Sequence, residues 1–402
     1  MKNSCESIKR FQKNNIVNSQ TIKILFQAYY FPGFSGYSAG GSEKALLRLT
    51  RVINERHPNE YSILIYVMHK KLSGVDLPLP KEIPVIGNPS KLSILPFLFK
   101  QQKYFDILHI FSFNRFPNKL LILLPLFWRK PVIIRINSSA VLENSKKYSS
   151  AIRHFIFNHI TKFIAVSPEI VTLLKQIDVE PEKIELIPNG IDTNFFKPLT
   201  LQQKTKLRLE LFRGKLKKNR LVFIYSGRIT EQYKKIKTFL EIWKNSSLSV
   251  NGNKLVLVGP LLEKNKDDRQ KIKDYLMQGN RYNIFWTGAK SEDEILKYLQ
   301  ASDIFVLPSV TEGFSNSLLE AMSCGLIPLV RNGVSGNSIV KNNLNGYQFV
   351  DDEDLALLIK QVSCNRHRFH KLSHKARDMV VKNFEITNIV NKYHDLYTSI
   401  VK

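Results

Sequence analysis

At 402 residues the chain is too long for one ordinary hydrophobic core, so two domains are expected. Hydrophobic residues at 43% and charged residues at 23% are ordinary for a soluble globular protein, while the net charge of +26 favours anionic partners: nucleic acid, anionic lipid or phosphorylated small molecules. The three cysteines, Cys5, Cys324 and Cys364, are odd in number and lack metal spacing, which excludes a disulfide framework and a cysteine zinc site and suits a reducing, cytoplasmic compartment.

The first twenty residues are polar, lack the apolar core of a signal peptide, and read as an N-terminal arm (1–20). Ile22–Ala28 is a short apolar run, predicted as a buried strand, and Tyr61–Val67, Asp106–Phe111 and Pro131–Ile136 read likewise. Between the first two, Ala45, Leu46, Leu49, Val52 and Ile53 recur at helical spacing. Leu120–Trp128 is the longest apolar run, far short of the roughly 20 residues that span a bilayer. It suits a buried helix, or a patch lying on a membrane surface, since Lys119, Arg129 and Lys130 flank it. Ser167 precedes Pro168 as a cap before a first helical proline. The Asn189-Gly190 turn, Pro198 and the basic stretch to Arg220 mark a boundary, giving domains at 21–197 and 198–384. A second strand–helix series follows at Leu221–Gly227, Lys254–Gly259, Asn283–Gly288, Asp303–Ser309 and Leu326–Val330. Residues 385–402 form an amphipathic helix carrying Ile386, Ile389, Val390, Tyr393, Leu396, Tyr397 and Ile400. Alternating strands and helices predict an α/β fold of two Rossmann-like, doubly wound domains, with a ligand cleft at the carboxyl ends of the strands.

Three stretches could carry chemistry. In "SVTEGFSNSLLEAMSCGLIP" (Ser309–Pro328), Ser317 and Glu320 have capping-box spacing, and Gly325 would end the helix. Glu312 sits beside Gly313 where a strand gives way to that helix, and the amides of Phe314, Ser315 and Asn316 would point into the cleft. A carboxylate among such donors suits ligand hydroxyls, as on a sugar or a ribose. Gly227-Arg228 ends a strand and Lys234 follows; an arginine fork and a lysine point charge suit a diphosphate, or are a solvated basic surface. Gly40 and Gly41 follow the first strand and permit close backbone approach to a ligand, with Ser42 as the cap of the next helix. That loop is neither G-x-G-x-x-G nor a P-loop, which excludes dinucleotide binding and ATP hydrolysis of those types. No recognition helix, aromatic platform or zinc module supports nucleic acid as a partner.

Taken in order from about Ile22 to Lys402, these residues resemble the GT-B glycosyltransferases, specifically the retaining, nucleotide-sugar-dependent family 4. "YFP" (Tyr30–Pro32) with "GGSE" (Gly40–Glu43) looks like its N-terminal glycine loop, "NGID" (Asn189–Asp192) like its signature before the linker, and Ser309–Pro328 like its E-x7-E donor motif. The resemblance implies that Glu320 holds the ribose of a nucleotide sugar and that Glu312, with the amides after Gly313 and beside Leu319, holds the donor sugar. It implies that Arg228 and Lys234, following Gly227, neutralise the leaving diphosphate, that Gly41 touches it from the other domain, and that Gly288 and Ala289 meet the base. It implies no metal or other cofactor, and a last helix crossing back to the N-terminal domain. The acceptor implied is a glycan or lipid-linked sugar, as in lipopolysaccharide or polysaccharide synthesis, and the basic charge with the apolar segments from Leu92 to Trp128 would suit peripheral docking at an anionic inner-membrane face. Two positions depart from the pattern. Asn137 stands where many relatives carry an active-site histidine and cannot carry a proton at neutral pH, and Ser338 stands where glutamate is common. His109 matches another family histidine and is expected to be structural. A rival expectation is a relative that binds a nucleotide sugar, or scaffolds a partner, without turnover.

Overall fold

The computed structural model describes residues 21–28, 41–67, 83–87, 98–99, 102–111, 130–138, 142, 150–214, 216, 220–333, 336–364 and 366–402. The arm expected at 1–20, Gly40 and the apolar run Leu120–Trp128 lie outside the described residues. Among those described, no helix is long and apolar enough to cross a membrane.

The chain divides into two units, Met1–Gly190 with Ile386–Lys402, and Ile191–Glu385. The first boundary therefore falls seven residues before the expected 197/198. Ile191 N donates to Phe384 O at 2.8 Å, Thr193 N donates to Glu385 Oε2 at 3.1 Å, and Phe196 is buried in the second unit's core, so 191–197 belong there.

In the first unit the described strands are β1 (Ile22–Ala28), β2 (Tyr61–Val67), β3 (Val85–Gly87), β4 (Ile107–Ile110), β5 (Val132–Ile136), β6 (Lys162–Ala165) and β7 (Ile184–Leu186). They form a parallel sheet in the order β3-β2-β1-β4-β5-β6-β7. Burial on both faces explains why β1, β2 and β5 read as mainly apolar runs without regular polar alternation. Helix α1 (Gly41–Arg56) turns Ala45, Leu46, Leu49 and Ile53 onto that sheet. It already begins at Gly41, so Ser42 lies inside it and is not its cap. Helix α2 (Pro168–Lys175) starts as expected, with Ser167 at the cap position and Pro168 first; the Ser167 carbonyl, not its hydroxyl, accepts from Ile170 N and Val171 N.

The second unit pairs β8 (Val222–Ser226), β9 (Lys254–Val258), β10 (Ile284–Trp286), β11 (Ile304–Leu307), β12 (Ile327–Arg331) and β13 (Tyr347–Phe349) in the order β10-β9-β8-β11-β12-β13, again parallel. Helices α3 (Ile236–Asn245), α4 (Asn316–Ser323) and α5 (Phe369–Phe384) cover it. The chain then returns as α6 (Ile386–Val401), whose Ile389, Val390, Tyr393 and Tyr397 join the core of the first unit beside α1 and β1.

His109 on β4 is fully buried, with Nδ1 hydrogen-bonded to Tyr397 Oη at 2.8 Å. Burial first, and the Arg135 charge second, hold its pKa well below the ordinary 6.5. Below about pH 6.5 the unfolded chain takes up a proton that the native chain refuses, so stability falls by ~1.4 kcal/mol per pH unit from this group. Denaturant unfolding at pH 7.5 and 5.5 checks this: a His109→Gln variant should lose less stability across the interval than the wild-type chain. Equal losses would remove His109 as the cause.

Candidate functional site

In an open parallel sheet a ligand site forms where the strand order reverses, because neighbouring loops there diverge to opposite sides. In the second unit that point lies between β8 and β11. The loop after β8 carries Gly227, Arg228 and Lys234, and the loop after β11 carries Ser309, Glu312 and Gly313. The fold thus brings together two stretches about eighty residues apart in sequence that had been singled out separately for charge.

The two loops are hydrogen-bonded to each other. Val310 N donates to Tyr233 O at 3.0 Å, and Lys234 Nζ donates to Glu312 Oε1, which also accepts from Ser309 Oγ at 3.1 Å. The Lys234 and Glu312 side chains are 15% and 16% exposed, so their attraction is only partly screened by water. Arg228 is exposed and its carbonyl accepts from Tyr225 Oη at 2.9 Å. The Tyr225 pKa is raised by burial and then by the Glu312 charge, and opposed by the Arg228 charge, so that hydroxyl lies in the field of both groups. A guanidinium, an ammonium and a carboxylate therefore gather at one strand junction. Such a set can hold a phosphate on its cations and hydroxyls on its carboxylate.

Helix α4 begins at Asn316 with Ser315, not Ser317, at its N-cap; Ser315 Oγ accepts from Leu318 N at 3.3 Å. Glu320 is consequently not the capping-box partner. It lies in the helix interior, 4% exposed, and its charge, after burial, helps to raise the Cys324 thiol pKa. The Phe314 ring packs on Phe384 at 5.7 Å between centroids, and Leu319, 1% exposed, packs into the core with its amide directed to Ser315 O at 3.4 Å. Asn316 is buried at the first turn of α4. Gly325 ends the helix with φ at +79°, as its sequence position suggested.

Beside this junction the sheet ends in three glycines. Gly227 N donates to Val258 O at 2.9 Å, and Gly259 N donates to Gly288 O at 2.8 Å. Gly259 holds φ at +145°, and a Cβ built there would lie 1.9 Å from Gly227 O. Trp286 Nε1 donates to Gly259 O at 2.9 Å, while Ala289 is exposed one residue past Gly288. Gly259 and Tyr225 were not singled out from sequence; the repeated glycine at the ends of β8, β9 and β10 was the available signal.

Of the three expected site residues in the first unit, Gly41 and Asn137 are described. Gly41 opens α1. Asn137 is committed at both ends of its amide: Nδ2 donates to Phe111 O at 2.8 Å, and Oδ1 accepts from Arg135 Nη1. Arg135 is a fully buried arginine that also donates to Asn189 Oδ1 and lies 4.2 Å from the Phe111 ring centroid. Asn137 therefore braces this unit, and its half-buried amide keeps a second N–H and a second lone pair beyond these two bonds.

Residues 40–195 match the family model described as Glycosyltransferase Family 4, and residues 208–379 match Glycosyl transferases group 1. The UDP-Gal:alpha-D-GlcNAc-diphosphoundecaprenol alpha-1,3-galactosyltransferase of Escherichia coli is 29% identical over 338 residues, covering 80% of this chain and 82% of that protein. The N,N'-diacetylbacillosaminyl-diphospho-undecaprenol alpha-1,3-N-acetylgalactosaminyltransferase of Campylobacter jejuni is 25% identical over 257 residues, 62% of each chain. Among solved structures, Anabaena Alr3699/HepE in complex with UDP and glucose superposes with a TM-score of 0.73 at 18% identity, covering 94% of this chain and 100% of that one. The two family models fall one on each Rossmann-like unit, in the order the sequence motifs predict: the chain belongs to the GT-B glycosyltransferases.

Proposed function

We propose that the chain transfers a hexose from a nucleoside diphosphate sugar to a lipid-linked sugar acceptor, with retention of anomeric configuration. The observation that carries this is the meeting of Lys234 and Glu312 beside Arg228 at the β8/β11 junction. Two relatives named for transfer to undecaprenol-linked diphosphate sugars support the acceptor class.

Breaking the anomeric C–O bond leaves both bonding electrons on the diphosphate, while positive charge develops on the sugar ring. Arg228 and Lys234 stabilise the charge on the leaving group, where preorganised cations lower the barrier most. Glu312 orients the sugar hydroxyls and Glu320 takes the ribose. The acceptor hydroxyl attacks the face from which the diphosphate departs, and its proton passes to the departing phosphate oxygen. In the unliganded chain Lys234 is held by Glu312, so donor binding exchanges that contact for contacts to phosphate and hydroxyl.

A second reading, donor binding without turnover, is favoured by Asn137, whose amide is engaged within the protein. One experiment tests both. Thermal shift of the full chain with UDP, GDP and ADP should show stabilisation by one of them, about 2.7 kcal/mol at a hundredfold excess over its dissociation constant. Arg228→Ala should abolish that shift. Radiolabelled UDP-glucose and UDP-galactose offered with a lipid-linked sugar diphosphate should then yield labelled lipid. No nucleotide shift would overturn the donor reading; a shift without product over a broad donor and acceptor panel would establish the non-catalytic one.

A further inference from the structure

Two groups of imidazoles lie outside the junction just described. In the first unit, His57, Glu60 and His394 bring ligand atoms within 4.8 Å of one another. Their rings argue against a metal. His57 and His394 stack with centroids 4.1 Å apart and planes 9° apart, so their in-plane lone pairs run side by side instead of converging. His394 Nδ1 is also hydrogen-bonded to Tyr61 Oη at 2.7 Å, and His57 Nδ1 to Glu60 Oε1 at 3.1 Å. This group is a hydrogen-bonded seam holding α6 to its own unit.

His370 and His374 are arranged differently. They lie four residues apart on the first turns of α5, both exposed, while Leu372, Ala376 and Val380 fix the opposite face in the core. Their Nε2 atoms are 3.2 Å apart, with ring planes inclined at 57°. Two nitrogens bound at about 2.0–2.1 Å to one tetrahedral ion stand about 3.3 Å from each other. The Nε2 separation matches that edge, and a side-chain rotation that opens the ring centroids from 4.4 Å would aim both lone pairs at one ion. Without an ion, the same contact requires one ring to donate its Nε2–H to the other.

We infer that His370 and His374 form a bidentate site for a divalent transition metal of the zinc, nickel or copper class on the outer face of α5. Neutral imidazoles are the ligands, and water completes the coordination. Two imidazole nitrogens with no carboxylate ligand suit such a metal and disfavour magnesium or calcium, which take oxygen ligands, while the neighbouring Lys371 and Lys375 charges oppose any dication. Cys364 and His367, both exposed, precede the pair in the spacing Cys-x2-His-x2-His-x3-His, but they do not cluster with it among the described residues. An ion clamping the first turns of α5 would stiffen the helix that packs on α4, where Ser373 Oγ donates to Gly325 O at 2.6 Å.

Calorimetric titration of the full chain with nickel or zinc chloride at pH 7.5 tests this. Binding of a single ion per chain is expected, with a rise in melting temperature that EDTA reverses. Because chelation depends on both rings, His370→Ala and His374→Ala should each weaken binding about tenfold or more, and the double variant should abolish it. His57→Ala and His394→Ala should leave it unchanged. Both α5 positions are exposed, so the variants should keep the metal-free melting temperature. Unchanged affinity with merely reduced capacity in the single variants would show independent surface histidines and overturn the clamp, as would loss of binding in His57→Ala or the absence of binding altogether.

Discussion

Replacing Lys234 with alanine should lower donor turnover by about 10²–10³-fold, the usual cost of removing one preorganised group that stabilises transition-state charge. The reason lies in its position at the β8/β11 junction, where its ammonium already meets Glu312. Alanine removes the cation proposed to meet the departing diphosphate and leaves the Glu312 carboxylate, 16% exposed, with Ser309 Oγ as its remaining side-chain partner. A lysine that only solubilised the surface would give a different result: Lys235 and Lys237, next along the chain, serve as controls whose alanine variants should keep at least half of wild-type turnover. Release of the nucleoside diphosphate from the preferred nucleotide sugar, with melting temperature measured in parallel, separates loss of chemistry from loss of fold. Wild-type turnover in Lys234→Ala would end the assignment of this junction as the donor site.

The larger structural effect is expected at Gly259. Its φ of +145° is one that side-chain-bearing residues rarely adopt, and a Cβ there would meet the backbone carbonyl of Gly227 at 1.9 Å. Backbone cannot swing aside as the end of a flexible side chain can. Gly259→Ala should therefore cost ~2–4 kcal/mol, combining an unfavourable dihedral with steric overlap. The shift it forces falls on Gly227-Arg228, so nucleotide binding should fall together with stability. Gly214→Ala is the comparison, since it too has a positive φ, +70°, but no neighbouring atom within 4 Å of the added carbon. Denaturant midpoints for the two variants separate dihedral strain from overlap, and equal midpoints would show that the close approach to Gly227 carries no cost.

Much of the fold was legible because parallel strands covered on both faces have no polar alternation to hide them. Ile22–Ala28 and Tyr61–Val67 are strands over the very residues that the apolar runs delimit. The short strands β3, β6, β7 and β13, three or four residues each, escaped because a tetrapeptide has too little pattern to declare itself. The helix start at Ser315 escaped for another reason. Both Ser315 and Ser317 are chemically able to cap, and the Ser-x-x-Glu spacing favours Ser317, but the path of the loop decides which hydroxyl reaches a free amide. The Asn189-Gly190 pair read as a turn, yet a Cβ on Gly190 would also strike Ile386 Cδ1 at 2.5 Å, a contact between residues nearly two hundred positions apart. The charge cluster was half legible. Composition and spacing put Arg228, Lys234 and Glu312 on strand-end loops, whereas the commitment of Asn137 to Arg135 depends on a buried arginine inside an apolar strand, whose partners no local pattern reveals.

The return of α6 to the first unit has a consequence for how the chain matures on the ribosome. Ile191–Glu385 is one uninterrupted stretch with its own cores and carries Arg228, Lys234, Glu312 and Glu320, so nothing synthesised later is needed to close it. The sheet started at Ile22 waits for Ile389, Val390, Tyr393 and Tyr397 to cover it. The half of the protein begun first is thus closed after the other, and until α6 leaves the exit tunnel its apolar flank stands open to chaperones.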